Sequence, residues 1–389
     1  TTSGVDNGTY VSTYSSAKDL VEAKKELIKD IVSEGSVLLK NENDTLPIAK
    51  NTKVSVFGRS STKLIYGPVS GGGKVTCNDT LQDVLKSDGV EVNPTLWNYY
   101  KNYKGNYRAS DSKGYRTGEI KPSEYSSDVK NSYASYNDAA IVFICRTFGE
   151  SHDAPKDPSK VLDGDGTHNA LELQDTEREL IAEAKKCSSK VIVVINSDYM
   201  MGIDELKHDN QIGAIISVGS LGNTGIFGLC DVITGQISPS GHLPDTIAAN
   251  VYSAPAVQNF GDFTFTNASE IDAASANNYV VYQEGIYVGY KYYETRYEDT
   301  VLNKGNASSS TGAFMDTSKW DYSKEVSYTF GYGLSYTNFE REINSINWDL
   351  TNKKVTLNIT TKNVGKVEGK DVLQAYVQSP YTQYDIDNK

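Results

Sequence analysis

The string CRTFGESHDAP (145–155) places one carboxylate, Glu150, in a short polar loop directly behind an apolar run. A carboxyl group held there can give or take a proton in a reaction, the work of a general acid or base. Gly149 frees the backbone beside it, and Arg146, His152 and Asp153 bring charge and hydrogen-bonding groups to the same loop. Glu150, His152 and Asp153 also make a metal-ligand set on paper, but a solvated loop histidine is the plainer reading. The four histidines, at 152, 168, 208 and 242, include no H-x-x-x-H pair, and the cysteine spacing matches no metal site. No metal and no cofactor is therefore expected.

Other reactive spacings fail when written out. SGGGK (70–74) has the composition of a phosphate cradle, but Pro68 stands where a P-loop needs glycine and Val75 where it needs Ser or Thr. A flexible glycine turn is the reading adopted. No G-x-G-x-x-G follows a strand pattern, which argues against a dinucleotide site, and no G-x-S-x-G marks a nucleophilic serine.

The elements that must hold Glu150 follow from periodicity. KVSVFG (53–58), AAIVFIC (139–145), KVIVVIN (190–196) and GAIISV (213–218) are apolar runs of strand length. Between them TLQDVLKSDG (80–89), ELQDTERELIAEAKKC (172–187) and NTGIFGLCDVITG (223–235) have helical spacing, as does residues 17–34, where Leu20, Lys24, Leu27, Ile28 and Ile31 form a stripe. Strands apolar on both faces, alternating with helices, predict a mostly parallel sheet covered on both sides. In such a sheet ligands bind outside the carboxyl ends of the strands, and the loop of Glu150 leaves one of those ends. A tyrosine-rich excursion, WNYYKNYKGNYR and onward over 97–127, separates the helix near 80–88 from the strand at 139. It is read as a surface segment whose tyrosines either approach the ligand or are structural. From about 280 the pattern changes. YVVYQEGIYVGYKYYE (279–294) alternates like a hairpin, and INSINWDL, KKVTLNITTKNVG and GKDVLQAYVQ read as three antiparallel strands of an unfinished β-sandwich. The domain reading is a tail over 1–16, an α/β sandwich over 17–329 and an incomplete β-sandwich over 330–389.

The composition narrows the function class. The chain has 389 residues, 50 acidic against 38 basic, and a formal charge of −12. With no basic stripe, nucleic acid is not an expected partner. No apolar stretch reaches membrane-spanning length. Cys145 and Cys230 fall in apolar patterns and read as buried thiols, while Cys77 and Cys187 stay undecided. The 27 tyrosines and six Asn-x-Ser/Thr sites favour an extracellular or cell-surface protein that meets carbohydrate, with the cytoplasm as the alternative.

The loop resembles the Arg-x-Ser-Gly-Glu-Gly-x-Asp string of glycoside hydrolase family 3. Arg146, Gly149, Glu150 and Asp153 match it in order, and Phe148 and Ser151 depart from it. SEGSVLLKNENDTLPI (33–48), SPSGHLPDTI (238–247), YQEGIYVGYKYYE, FGYGLSYTNFE and TKNVGKVEGKDVLQAYV are similar to further family segments, also in order. The resemblance implies an (α/β)6-sandwich followed by part of a fibronectin-III-like domain. It also implies that Glu150 is the acid/base of retaining hydrolysis, with an aspartate nucleophile on a (β/α)8-type barrel outside this chain. Such a chain would be the front half of a member with the barrel placed last, inactive without a second polypeptide or fragment that carries it. Arg146, Phe148 and His152 are then the expected substrate contacts around Glu150. The aromatic signatures lock the sandwich to its neighbour. The implied activity is β-glucosidase, acting on terminal residues of β-linked oligosaccharides or β-glucosides. β-Xylosidase of the same family is the nearest variant, a non-catalytic sugar-binding module is the other reading, and self-association stays open.

Overall fold

The computed structural model describes residues 12–69, 75–261, 263–267, 270, 281–282, 284–304, 320–377, 380 and 382–387. SGGGK falls outside them. Twelve strands occur among the described residues: β1 Val37–Asn41, β2 Lys53–Phe57, β3 Glu91–Val92, β4 Ala109–Asp111, β5 Gly114–Arg116, β6 Ala139–Arg146, β7 Val191–Ser197, β8 Ile212–Val218, β9 Ile247–Ala248, β10 Val326–Tyr328, β11 Phe339–Asp349 and β12 Lys354–Asn363. The chain divides into two compact units, Thr1–Tyr336 and Thr337–Lys389.

In the first unit six strands form one sheet in the order β1-β8-β7-β6-β2-β3, parallel throughout except where β1 runs against β8. All eight residues of β6 and all seven of β7 are buried, which is why their sequences are apolar without alternation. Helices Ala17–Gly35, Leu81–Ser87 and Gly225–Thr234 sit among the covering elements, and Asp175–Cys187 packs on β6 and β2. The order of crossovers matters for function. From β2 the chain steps outward to β3, then returns past β2 to build β6, β7 and β8 on the other side. Connections therefore leave β2 and β6 in opposite directions, which makes the carboxyl ends of these two strands the topological switch point, the place where such sheets bind ligands. The loop of Glu150 leaves β6 there.

The first helix differs from its expected packing. Gly222, Gly225 and Gly228 let Ile28, Val32 and the Lys29 backbone come close, whereas Leu20, Leu27 and Ile31 stay exposed. The tyrosine excursion is largely core. Tyr100, Tyr115 and Tyr125 are buried, as is Tyr133 just beyond it, and the Tyr100 and Tyr125 hydroxyls meet at 2.5 Å. Arg59 lies over the Tyr103 and Tyr107 rings at 5.0 and 3.5 Å and donates to the Tyr103 and Gly105 carbonyls at 3.0 and 2.9 Å. Cys187 is buried with Cys145 and Cys230, and Cys77 is half-buried.

Two strand expectations are corrected. Of the segment read as a hairpin over 279–294, residues 279, 280 and 283 fall outside the described residues, and Tyr290 onward lies in a helix, Tyr290–Thr300, rather than a strand. Its aromatic residues score as strand formers, but Tyr290, Tyr293 and Tyr297 stand at helical spacing, and Tyr292 and Tyr293 are buried by packing that sequence alternation does not reveal. In the second unit β11 and β12 form one antiparallel ladder, and residues 369–377, read as a third strand, form no ladder. A strand exists by pairing, and alternation without a bonded neighbour does not create one. A bulge between Ile343 and Ser345 keeps Ile343, Ile346 and Trp348 opposite Ile359, Leu357 and Val355.

FGYGLSY (330–336) is the closing segment of the first unit and is tied to earlier parts of that unit. Leu243 and Tyr332 pair by a 2.9 Å bond, Leu334 donates to the Leu38 carbonyl at 2.9 Å, and the Tyr336 hydroxyl donates to the Val232 carbonyl at 2.8 Å.

Candidate active site

Glu150 and Ser151 are the tip of a two-residue turn. Gly149 and His152 close it through both backbone bonds, Gly149 N–H to the His152 carbonyl at 3.1 Å and His152 N–H to the Gly149 carbonyl at 2.8 Å. Of the two tip residues only Ser151 has positive φ, at 61°. That sign at the second central position is what a type II turn demands, normally of glycine. Ser151 stands where the Arg-x-Ser-Gly-Glu-Gly-x-Asp string carries glycine. The turn holds Glu150 outward, exposed, at the carboxyl end of β6.

What fixes this turn lies beneath it. Phe148 is fully buried, its ring 4.8 Å from Tyr115 and 5.1 Å from Tyr199, in a small satellite core with Val161 and Ala170. Its carbonyl accepts from Val69 N–H at 3.3 Å, tying the loop to the one that leaves β2. Arg146 is also fully buried. Nε donates to Ala170 O at 2.6 Å, and the two terminal nitrogens reach Cys145 O, Glu172 O and both oxygens of Glu177. Burial works against its charge, but Glu177 more than compensates and drives the guanidinium pKa upward. Burial raises the Tyr115 phenol as well and pushes the Cys145 thiol up to about 11.

These placements correct two expectations. Arg146 and Phe148 present no surface to a ligand in this chain, because one is satisfied by internal acceptors and the other fills a core. His152 is half-buried, with Nδ1 enclosed and no hydrogen-bond partner, and its backbone closes the turn. The metal-type donors that converge within 4.8 Å among the described residues are those of Asp165, His168 and Asp175, a group that does not include Glu150, His152 or Asp153. The Arg178 guanidinium already reaches that group, 3.2 Å from Asp175 and 3.3 Å from His168.

Neighbouring loops are stitched to the same edge. Asn196, at the end of β7, donates to Gly219 O and accepts from Ile65 N–H, both at 2.7 Å. Asp198 accepts from the Ser220 N–H and hydroxyl, again at 2.7 Å each. Glu119 accepts from the N–H groups of Arg59 and Ser60 at 2.6 and 3.0 Å, closing the turn after β2, and burial raises its pKa against those bonds. Glu119 was not legible beforehand, since it lies some sixty positions from the turn it closes. Asn196 and Tyr199 carried a signal, their place at the end of an apolar strand.

The geometry has parallels among known proteins. Residues 36–290 match the glycosyl hydrolase family 3 C-terminal domain. Beta-glucosidase A of Butyrivibrio fibrisolvens is 29% identical over 386 residues, covering 91% of this chain and 41% of the relative. A Beta-glucosidase of Ruminococcus albus is 30% identical over 363 residues, covering 91% and 32%. A solved structure of a β-glucosidase from Paenibacillus barengoltzii matches with a TM-score of 0.66 at 26% identity, over 88% of this chain and 33% of that one. The fold of Thermotoga neapolitana β-glucosidase 3B is similar at a TM-score of 0.64. The chain spans well under half the length of these relatives. By the extent of the matched domain, the chain belongs to glycoside hydrolase family 3.

Proposed function

We propose that this chain supplies the acid/base carboxyl, Glu150, of a retaining exo-acting β-glycosidase, foremost a β-glucosidase. The observation that carries the reading is the presentation of Glu150 at an exposed turn tip beside the switch point, on a sheet whose relatives are named β-glucosidases. In the first step a carboxylate nucleophile attacks the anomeric carbon while the Glu150 carboxyl gives its proton to the departing glycosidic oxygen. In the second step the Glu150 carboxylate takes a proton from water as that water displaces the enzyme-bound sugar. A retaining pair stands roughly 5 Å apart. The nucleophile is expected on a barrel outside this chain, so this chain alone is expected to be inactive.

The test is the denatured mass of the active preparation, with hydrolysis of an aryl β-glucoside and an aryl β-xyloside by wild type and Glu150→Ala. The reading requires a barrel-bearing polypeptide in the preparation, a large loss in Glu150→Ala and partial rescue by azide, which can replace the water that the missing base activates. Unchanged hydrolysis in Glu150→Ala defeats it. Faster turnover of the xyloside selects β-xylosidase, and no turnover of either makes a non-catalytic sugar-binding module the better account.

A further inference from the structure

We propose that Tyr199 is a substrate-contacting specificity residue, forming one wall of the subsite for the leaving group beside Glu150. This rests on the acid/base reading above. β6 and β7 run in parallel register, with Arg146 opposite Ser197. Two residues further on, Phe148 and Tyr199 still correspond, and the Tyr199 ring stands edge-on to Phe148 at an interplanar angle of 83°. Glu150 follows two residues after Phe148. Tyr199 therefore stands beside the base of the turn that carries the carboxyl.

The residue is held as a binding group is held. Its backbone is closed on Ser197, whose hydroxyl accepts from Tyr199 N–H at 3.0 Å and donates to Tyr199 O at 2.8 Å. Asp198, the residue before it, is pinned by Ser220. A tyrosine present only to pack Phe148 would be covered, as Tyr115 is at 0% exposure, yet Tyr199 keeps 36% of its surface open. The open ring offers an apolar face with a polar tip, the combination that suits a pyranose or aryl group with hydroxyls at its rim. Burial and the Asp198 and Asp153 carboxylates raise the phenol pKa, so the hydroxyl stays a donor. A departing group that stacks on this ring is presented to Glu150 for protonation.

The experiment uses the complete active enzyme and two substrates of one sugar: its β-linked disaccharide, and its β-fluoride, whose leaving group is a single atom with nothing to stack. Tyr199→Leu keeps bulk against Phe148, Tyr199→Ala removes it and Tyr199→Phe keeps the ring. We expect Leu and Ala to lower kcat/KM for the disaccharide about tenfold, with the fluoride within about twofold of wild type, and Phe, which keeps the ring but loses the donor, to fall between wild type and Leu on the disaccharide and to match wild type on the fluoride. Equal losses on both substrates, or none in Leu, overturn the proposal. Glu150→Ala in the same assay separates the two ideas. If it retains disaccharide hydrolysis the acid/base reading fails, whereas if it loses hydrolysis and Tyr199→Leu is not selective, only the present inference fails.

Discussion

Arg146 and Glu177 meet as a bidentate ion pair, both contacts at 2.6 Å, with side-chain exposures of 0% and 1%. The pair joins the last residue of β6 to the first turn of helix Asp175–Cys187. There Glu177 also accepts from Gln174 N–H at 2.9 Å, as part of a capping box. One guanidinium thereby fastens the strand before Glu150 to the segment that returns beneath it.

Removing either partner leaves the other buried with an uncompensated charge, which costs about 3–5 kcal/mol. Glu177→Gln and Arg146→Ala are expected to lose that much in urea unfolding. Arg146→Lys should recover only part, because one ammonium cannot serve carboxylate and carbonyl acceptors spread around a planar fork. A loss under about 1 kcal/mol in all three variants contradicts a shared role for the pair.

Ser151 occupies a left-handed conformation that costs a non-glycine residue about 1–2 kcal/mol. Ser151→Gly removes that strain but adds freedom to the unfolded chain, so stability should move by no more than about 1 kcal/mol. Ser151→Val puts a β-branched side chain where it is a true outlier. It should destabilise the turn and, on the proposed mechanism, lower kcat with little change in global unfolding. Equal activity for the Gly and Val variants would show that the turn does not position Glu150.

Asp165 has a depressed pKa. Burial would raise it, but donors from Thr167 and His168 prevail and hold the carboxyl well below the usual aspartate range. The stabilisation is complete above an ordinary aspartate pKa of about 3.9 and is lost as pH falls through the lower folded value. Asp165→Asn is therefore expected to unfold earlier than wild type in urea at pH 7, with the gap closing below about pH 4. A gap that persists unchanged into acid assigns the effect to something other than the ionised carboxylate.

Gly58, at the end of β2, has φ 94°, and a Cβ there would lie 2.7 Å from the Phe143 carbonyl oxygen. Gly58→Ala combines left-handed strain with a backbone clash, each on the order of 1 kcal/mol or more. A lowered midpoint in urea is expected. Wild-type stability in that variant would mean that β2 and β6 separate easily at the switch point.

Much of this was decided locally. Ala139–Cys145, Val191–Ile195 and Ala214–Ile216 are apolar on consecutive positions, so burial on both faces and the parallel sheet followed from residue type alone. The position of Glu150 directly beyond such a run marked it as a candidate, with Gly149 beside it to free the backbone. Tertiary structure decided the rest, because it depends on which distant groups meet. Arg146 looked like a ligand contact until Glu177, Ala170 and Glu172 surrounded it. Phe148 became core once Tyr115 reached it from the tyrosine excursion, and Tyr290–Thr300 became a helix although its aromatics favour strands. A side chain's role is set by what it excludes from water and by what satisfies its polar atoms. Those partners lie about 24 to 31 residues away for Arg146 and sixty for Glu119, beyond the reach of any local pattern.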